Sequence, residues 1–336
     1  MKIYHHINDF KRVDNAVVTI GTFDGVHVGH QKIITTLVEK AKQQKGESVI
    51  LTFFPHPRMI LQPENHELKM INTMAEKAIL LEKLGIDHLI ITPFTRDFSN
   101  LSPKQYIKDI LMDLIGMKTI VIGYDHRFGK DRSGGLAELQ QNSAEFGYEI
   151  VEIPEQDINH IAISSTRIRT ALAEGNVDAA EALMGHPFTL SGKVIRGDQI
   201  GRTLGYPTAN LFIEESYKII PSDGIYAVEI HVPTKSEKNK NQIINNPFQT
   251  ENQKLKPEIF TFKGMAYIGH RPTINGLSQN IEVNIFDFEE DIYHQTIQID
   301  FLHFIRHDIK FEGLSKLTTQ LGMDKENTLA YFRDKS

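Results

Sequence analysis

The first half of the chain alternates short apolar, β-branched runs with amphipathic stretches, and this rhythm restricts the fold more than any other feature. The runs cover residues 17–23, 48–54, 88–93, 119–125 and 149–153. Between them lie residues 31–44, 73–84, 103–115 and 135–146, with apolar side chains at helical spacing. Strand alternating with helix predicts βαβ units, hence a parallel sheet with helices on both faces. A short helix over 177–184, Gly185 after it and Pro187 beyond are stop signals, and they set the end of this domain at residue 185. From Phe188 the texture becomes all-β, with strands over 225–230 and 296–301 and frequent Gly and Pro, so residues 186–336 predict a small barrel or sandwich. Two amphipathic helices are expected near the end, over 312–323 and 325–332. Residues 235–256 are rich in Lys, Asn and Gln and read as an exposed, mobile loop.

Composition narrows the chemistry. The length of 336 residues accommodates two domains with cores of their own. A net charge of −6 argues against a broad grip on nucleic acid. With no cysteine there are no disulfides, thiol nucleophiles or Cys-based metal sites. The N-terminus lacks a signal-peptide core, and no apolar run approaches the roughly 20 residues of a membrane span. A cytoplasmic protein with no membrane partner is expected, with weak or transient self-association left open.

Three loops follow predicted strands at their carboxyl ends, where open α/β sheets bind ligands. The first is Gly21-Thr22-Phe23-Asp24-Gly25-Val26-His27-Val28-Gly29-His30, between a strand and a helix. Free N–H groups and a helix dipole beside two imidazoles suit a phosphate chain. Two histidines without a third ligand make metal the weaker reading. The second loop, Pro55-His56-Pro57-Arg58, reads equally as a rigid ligand wall or a plain strand exit. In the third, Gly123-Tyr124-Asp125-His126-Arg127-Phe128-Gly129, Asp125 either accepts from a nucleotide or stabilises its own turn. Further on, Ser164-Ser165-Thr166 with Arg169 is either a second anion cradle or a capped helix with a solvated Arg.

In the second half, Gly197, Gly201 and Gly205 punctuate a loop whose N–H groups could wrap phosphates, or which could simply join two strands. Thr208 and Asn210 follow it with hard oxygens suited to Mg²⁺. Glu282 alternates with apolar neighbours on a strand, either as a general base or as a solvent-facing carboxylate.

In combination these motifs resemble the bacterial bifunctional riboflavin kinase/FAD synthetase family. The likeness rests on residues 21–31, 163–169 and 201–211, Arg271-Pro272-Thr273 and the Glu282 strand, in that order along nearly the whole chain. It implies a Rossmann-like nucleotidyltransferase domain followed by a Greek-key barrel. The barrel would phosphorylate riboflavin with ATP, and the first domain would adenylylate FMN to FAD with release of pyrophosphate, Mg²⁺ accompanying ATP. The likeness assigns catalysis to His27, His30, Arg169 and Glu282. It assigns nucleotide binding to Gly21, Phe23, Asp24, Gly29, Gly123, Asp125, Ser164, Ser165, Thr166, Gly197, Gly201 and Gly205. Flavin contacts fall to Pro55, Pro57 and Arg127, and Mg²⁺ to Thr208 and Asn210. The chain departs from the common pattern at Phe54, His126, His270, Asn284 and Asp308.

Overall fold

The computed structural model describes residues 1–62, 68–155, 163–197, 200–233, 258–273 and 276–335. The 235–256 loop lies outside them. Two compact units divide the chain. One comprises Met1–Met70 and Met74–Ser164, the other Ile71–Thr73 and Ser165–Ser336. The dividing point thus falls at residue 164, ahead of the stop signals at Gly185 and Pro187.

The first unit is built on six parallel strands in the order β1 (Lys2–Tyr4), β4 (His88–Thr92), β3 (Ser48–Phe53), β2 (Ala16–Ile20), β5 (Met117–Gly123) and β6 (Glu149–Ile153). β2 and β3 are buried along their whole length, as expected of central strands covered on both faces. The strand order reverses between β2 and β5, and ligands bind at such a switch point. Strand β1, only three residues long, leaves no periodic signal in the sequence. The 103–115 segment enters as an α-helical turn and continues as a π-helix over Tyr106–Ile115 that ends at left-handed Gly116.

The second unit holds a closed six-stranded barrel in the order β10 (Ile259–Thr273), β11 (Gly276–Ile285), β8 (Ala209–Phe212), β7 (Phe188–Ile195), β12 (Thr296–Arg306) and β9 (Gly224–Pro233). Its interior is filled by fully buried side chains including Phe188, Leu190, Tyr226, Val228, Ile230, Ile268, Val283, Ile299 and Phe301. The helix Val177–Met184 packs on β7 and β12. It ends at left-handed Gly185, as its stop signal predicts.

One correction concerns the C-terminus. The two helices expected there are a single helix, Leu314–Asp334. Asp324, where a break was expected, is 0 % exposed and paired with Arg306 through two bonds of 2.7 and 2.6 Å. A carboxylate that looks like a boundary residue is in fact the anchor holding the helix to β12.

Candidate active sites

In the first unit β2 stops at Ile20, three residues earlier than its apolar run suggests, because Phe23 turns left-handed with φ 46°. Gly25 and Val26 follow at φ 85° and 39°. The turn feeds directly into helix α1 (Val28–Gln43), which begins three residues before its apolar periodicity does. His27 is the N-cap, and its Nδ1 accepts from the backbone N–H of His30 at 3.3 Å. That bond makes Nδ1 an acceptor and leaves the ring proton on Nε2, free to donate to a ligand.

The rings of His27 and His30 stack at 3.5 Å, and Phe23 meets His30 edge-on at 5.2 Å. His30 Nδ1 is buried and has no hydrogen-bond partner among the described residues. Burial pushes the His27 pKa down to about 4, against the pull of Asp24 and Asp125. His30 falls well below the ordinary range, through burial first and then through its neighbours His27 and the positively charged Lys77. Both rings are therefore neutral N–H donors at pH 7.

The remaining predicted groups of this unit occupy the same carboxyl edge. Gly21 directly follows β2 and donates its N–H to Leu51 at 3.1 Å, and Asp24 is buried. Gly29 lies in the first turn of α1. Gly123 closes β5, and its carbonyl accepts from His126 at 3.0 Å. Asp125 and Arg127 are exposed beyond it. Pro55 is exposed after β3, and Pro57 opens the helix Pro57–Leu61. Ser164 closes the first unit. Ser165, Thr166 and Arg169 lie in the helix Ser165–Ala173 of the second unit, with Ile168 and Leu172 buried on its other side.

In the barrel, Glu282 on β11 faces Asn210 on β8 across the ladder. Its carboxylate is gripped at both oxygens: Thr208 Oγ1 donates to Oε2 at 3.0 Å and Asn280 Nδ2 to Oε1 at 2.7 Å. Asn284, two residues on, does not reach this carboxylate but donates to the Pro207 carbonyl at 2.7 Å. Of the glycines before this cluster, Gly197 lies against Asn210 and Gly201 sits in the short helix Ile200–Thr203. A Cβ on Gly197 would lie 2.3 Å from Asn210 Nδ2, and one on Gly201 2.3 Å from the Tyr206 carbonyl. Gly205 turns at φ 83°.

Residues 9–167 match the model of the FAD synthetase family and residues 184–332 that of riboflavin kinase. A bifunctional riboflavin kinase/FMN adenylyltransferase from Listeria monocytogenes is 34 % identical over 332 residues, covering 98 % of this chain and 97 % of the relative. Its namesake from Haemophilus influenzae is 34 % identical, covering 99 % of both chains. This chain belongs to the bifunctional riboflavin kinase/FMN adenylyltransferase family. A crystal structure described as the macrolide-efflux protein from Streptococcus pneumoniae shares the fold, with a TM-score of 0.80 and 30 % identity over 97 % of this chain and 98 % of that one. Among the described residues of this family member, no helix is long and apolar enough to cross a membrane.

Two side chains at these sites escaped the sequence reading. Asn280 lies two residues before Glu282, so period-two alternation already places it on the same face. Lys77 is buried in the helix Met74–Lys83, with Nζ 2.6 Å from the Thr22 carbonyl. Its signal was a lysine at an apolar position of a helical stripe.

Proposed function

We propose that this chain makes FMN and FAD in two ATP-dependent steps, one in each unit, with the residue roles that follow. In the barrel, riboflavin is phosphorylated on its 5′-hydroxyl. Glu282 is the base that takes the hydroxyl proton, and the grip of Thr208 and Asn280 on its two oxygens supports that role by fixing where the carboxylate points. The loop carrying Gly197, Gly201 and Gly205 covers the ATP phosphates. Thr208 and Asn210 supply hard oxygens, a donor pair that fits Mg²⁺ arriving with ATP, and the ion would neutralise charge on the transferring phosphoryl group.

In the first unit, the FMN phosphate attacks the α-phosphorus of ATP and pyrophosphate leaves. His27 and His30 donate hydrogen bonds to the phosphate oxygens as charge builds. The N-terminus of α1 favours the same charge. The family motif at residues 163–169 supports Ser164, Ser165, Thr166 and Arg169 as donors to the terminal phosphates. Pro55, Pro57 and Arg127 are proposed to border the flavin, and Asp125 to contact the nucleotide. Expected partners are riboflavin, FMN and ATP in the cytoplasm.

The observation carrying this reading is the stacked histidine pair at the N-terminus of a helix, His27 as its cap and His30 in its first turn, at the switch point of a parallel sheet. Incubation with riboflavin and Mg²⁺-ATP, followed by chromatography, tests it. FMN and then FAD are expected. Bound but unchanged riboflavin would instead indicate a flavin-sensing protein, and a different adenylylated product another acceptor.

A further inference from the structure

Lys77 occupies a position where the fold calls for an apolar side chain. The buried residues of the helix Met74–Lys83 are Met74, Glu76, Lys77, Ala78 and Leu81, and Lys77 shares the face of the apolar Met74, Ala78 and Leu81. Lys77 is 1 % exposed. Its ammonium donates to the Thr22 carbonyl at 2.6 Å and lies 3.8 Å from Met74 Sδ. It forms no direct ion pair among the described residues, and Asp24 is the carboxylate acting on it electrostatically. Burying an ammonium in this way is costly, and burial pushes its pKa down to about 8. Methionine or leucine would serve packing better, so the charge calls for another reason.

Its acceptor supplies one. Thr22 opens the turn that presents both histidines. Within that turn Phe23 and Val26 hold left-handed conformations, which a β-branched residue adopts only under strain. Such a turn persists when its surroundings over-determine it, and Lys77 fastens its first carbonyl from below. The same positive charge acts on His30. The titratable groups bearing on the pair are Asp24 and Asp125 at His27, and His27 and Lys77 at His30.

We propose that Lys77 is a positioning residue for adenylyl transfer: its ammonium pins the Thr22 carbonyl, keeps the strained turn in the shape that aims His27 and His30, and places a fixed positive charge on the protein side of the phosphates. This rests on reading the first unit as the adenylyltransferase.

The test compares wild type and K77M as full-length chains in both reactions, from about pH 3.5 to about pH 9. FAD formation from supplied FMN should fall roughly 10- to 100-fold in kcat, because the histidines lose their alignment. FMN formation from riboflavin should not change. The acid limb of the FAD profile should move to higher pH, since removing a positive neighbour makes an imidazole easier to protonate. In K77A, added propylammonium should restore FAD formation, and propanol of similar size should not. If K77M loses its cooperative melt, the K77A rescue decides alone. An unchanged FAD rate and profile, a proportional loss of both reactions, or equal rescue by propanol would overturn the proposal. A wild type that makes FMN but no FAD would overturn the adenylyltransferase reading, and the role of Lys77 with it.

Discussion

At the scale of single residues, the two sites make opposite demands on their polar groups. Glu282 is useful only while aimed, and two donors hold it so. Glu282→Gln should abolish FMN formation yet leave adenylylation of supplied FMN intact, and His30→Ala should do the reverse, slowing FAD formation by roughly 10²-fold. Product chromatography with each substrate supplied separately checks both, and equal loss of the two activities from either change would dissolve the two-site account. Asn280→Ala leaves the carboxylate in place but frees one oxygen to turn. Its riboflavin kinase kcat should drop by about 10-fold with KM for ATP little changed, measured at saturating riboflavin. Asn284, at a position where the resembling family often has a histidine, donates to the Pro207 carbonyl.

At the scale of elements, the C-terminal helix depends on one charge. Asp324 is enclosed and accepts from Arg306 and from Gln320 Nε2 at 2.9 Å. Asp324→Ala strands the Arg306 guanidinium, which is 17 % exposed, and should cost about 3–5 kcal/mol in the barrel unit. Urea titration followed by riboflavin kinase activity checks this, and a loss under about 1 kcal/mol would mean that apolar packing alone seats the helix. That packing is visible in Tyr206, Tyr267, Ile305, Leu321 and Leu329 around Ile225, Met265 and Phe286.

At the scale of the whole molecule, acid should unfold the first unit ahead of ordinary carboxylate titration. His27 is held near pKa 4 when folded, against 6.5 for a free side chain. The unfolded chain therefore gains a proton below pH 6.5 that the folded unit refuses. Stability is complete above pH 6.5 and falls as pH drops toward 4, by on the order of 3 kcal/mol for one such group. Denaturant melts at successive pH values check this, and His27→Gln should flatten the slope. Fragment boundaries follow from packing too. A barrel fragment starting at residue 186 discards the helix Val177–Met184, and with it the 2.9 Å pairing of Asp178 with His303. One starting at residue 165 keeps both but loses Ile71, whose carbonyl accepts from the buried Lys218 at 2.6 Å. Both should melt below the intact chain, and the shorter one lower, as read by calorimetry.

Period and spacing alone determined the parallel sheet, the all-β second half, the three loops at the strand ends and the paired histidines, because covered strands, helix stripes and glycine turns leave local signatures. Local signals could not reveal that Asp324 is an anchor rather than a helix boundary, since its partner Arg306 lies on a strand 18 residues earlier. Nor could they reveal what Lys77 holds, since its acceptor Thr22 is 55 residues away. The grip on Glu282 stands between: Asn280 was legible from alternation, but Thr208 reaches it across 74 residues. Only tertiary structure decided these pairings, because a buried polar group is satisfied by whichever partner the fold brings within reach, at any distance along the chain.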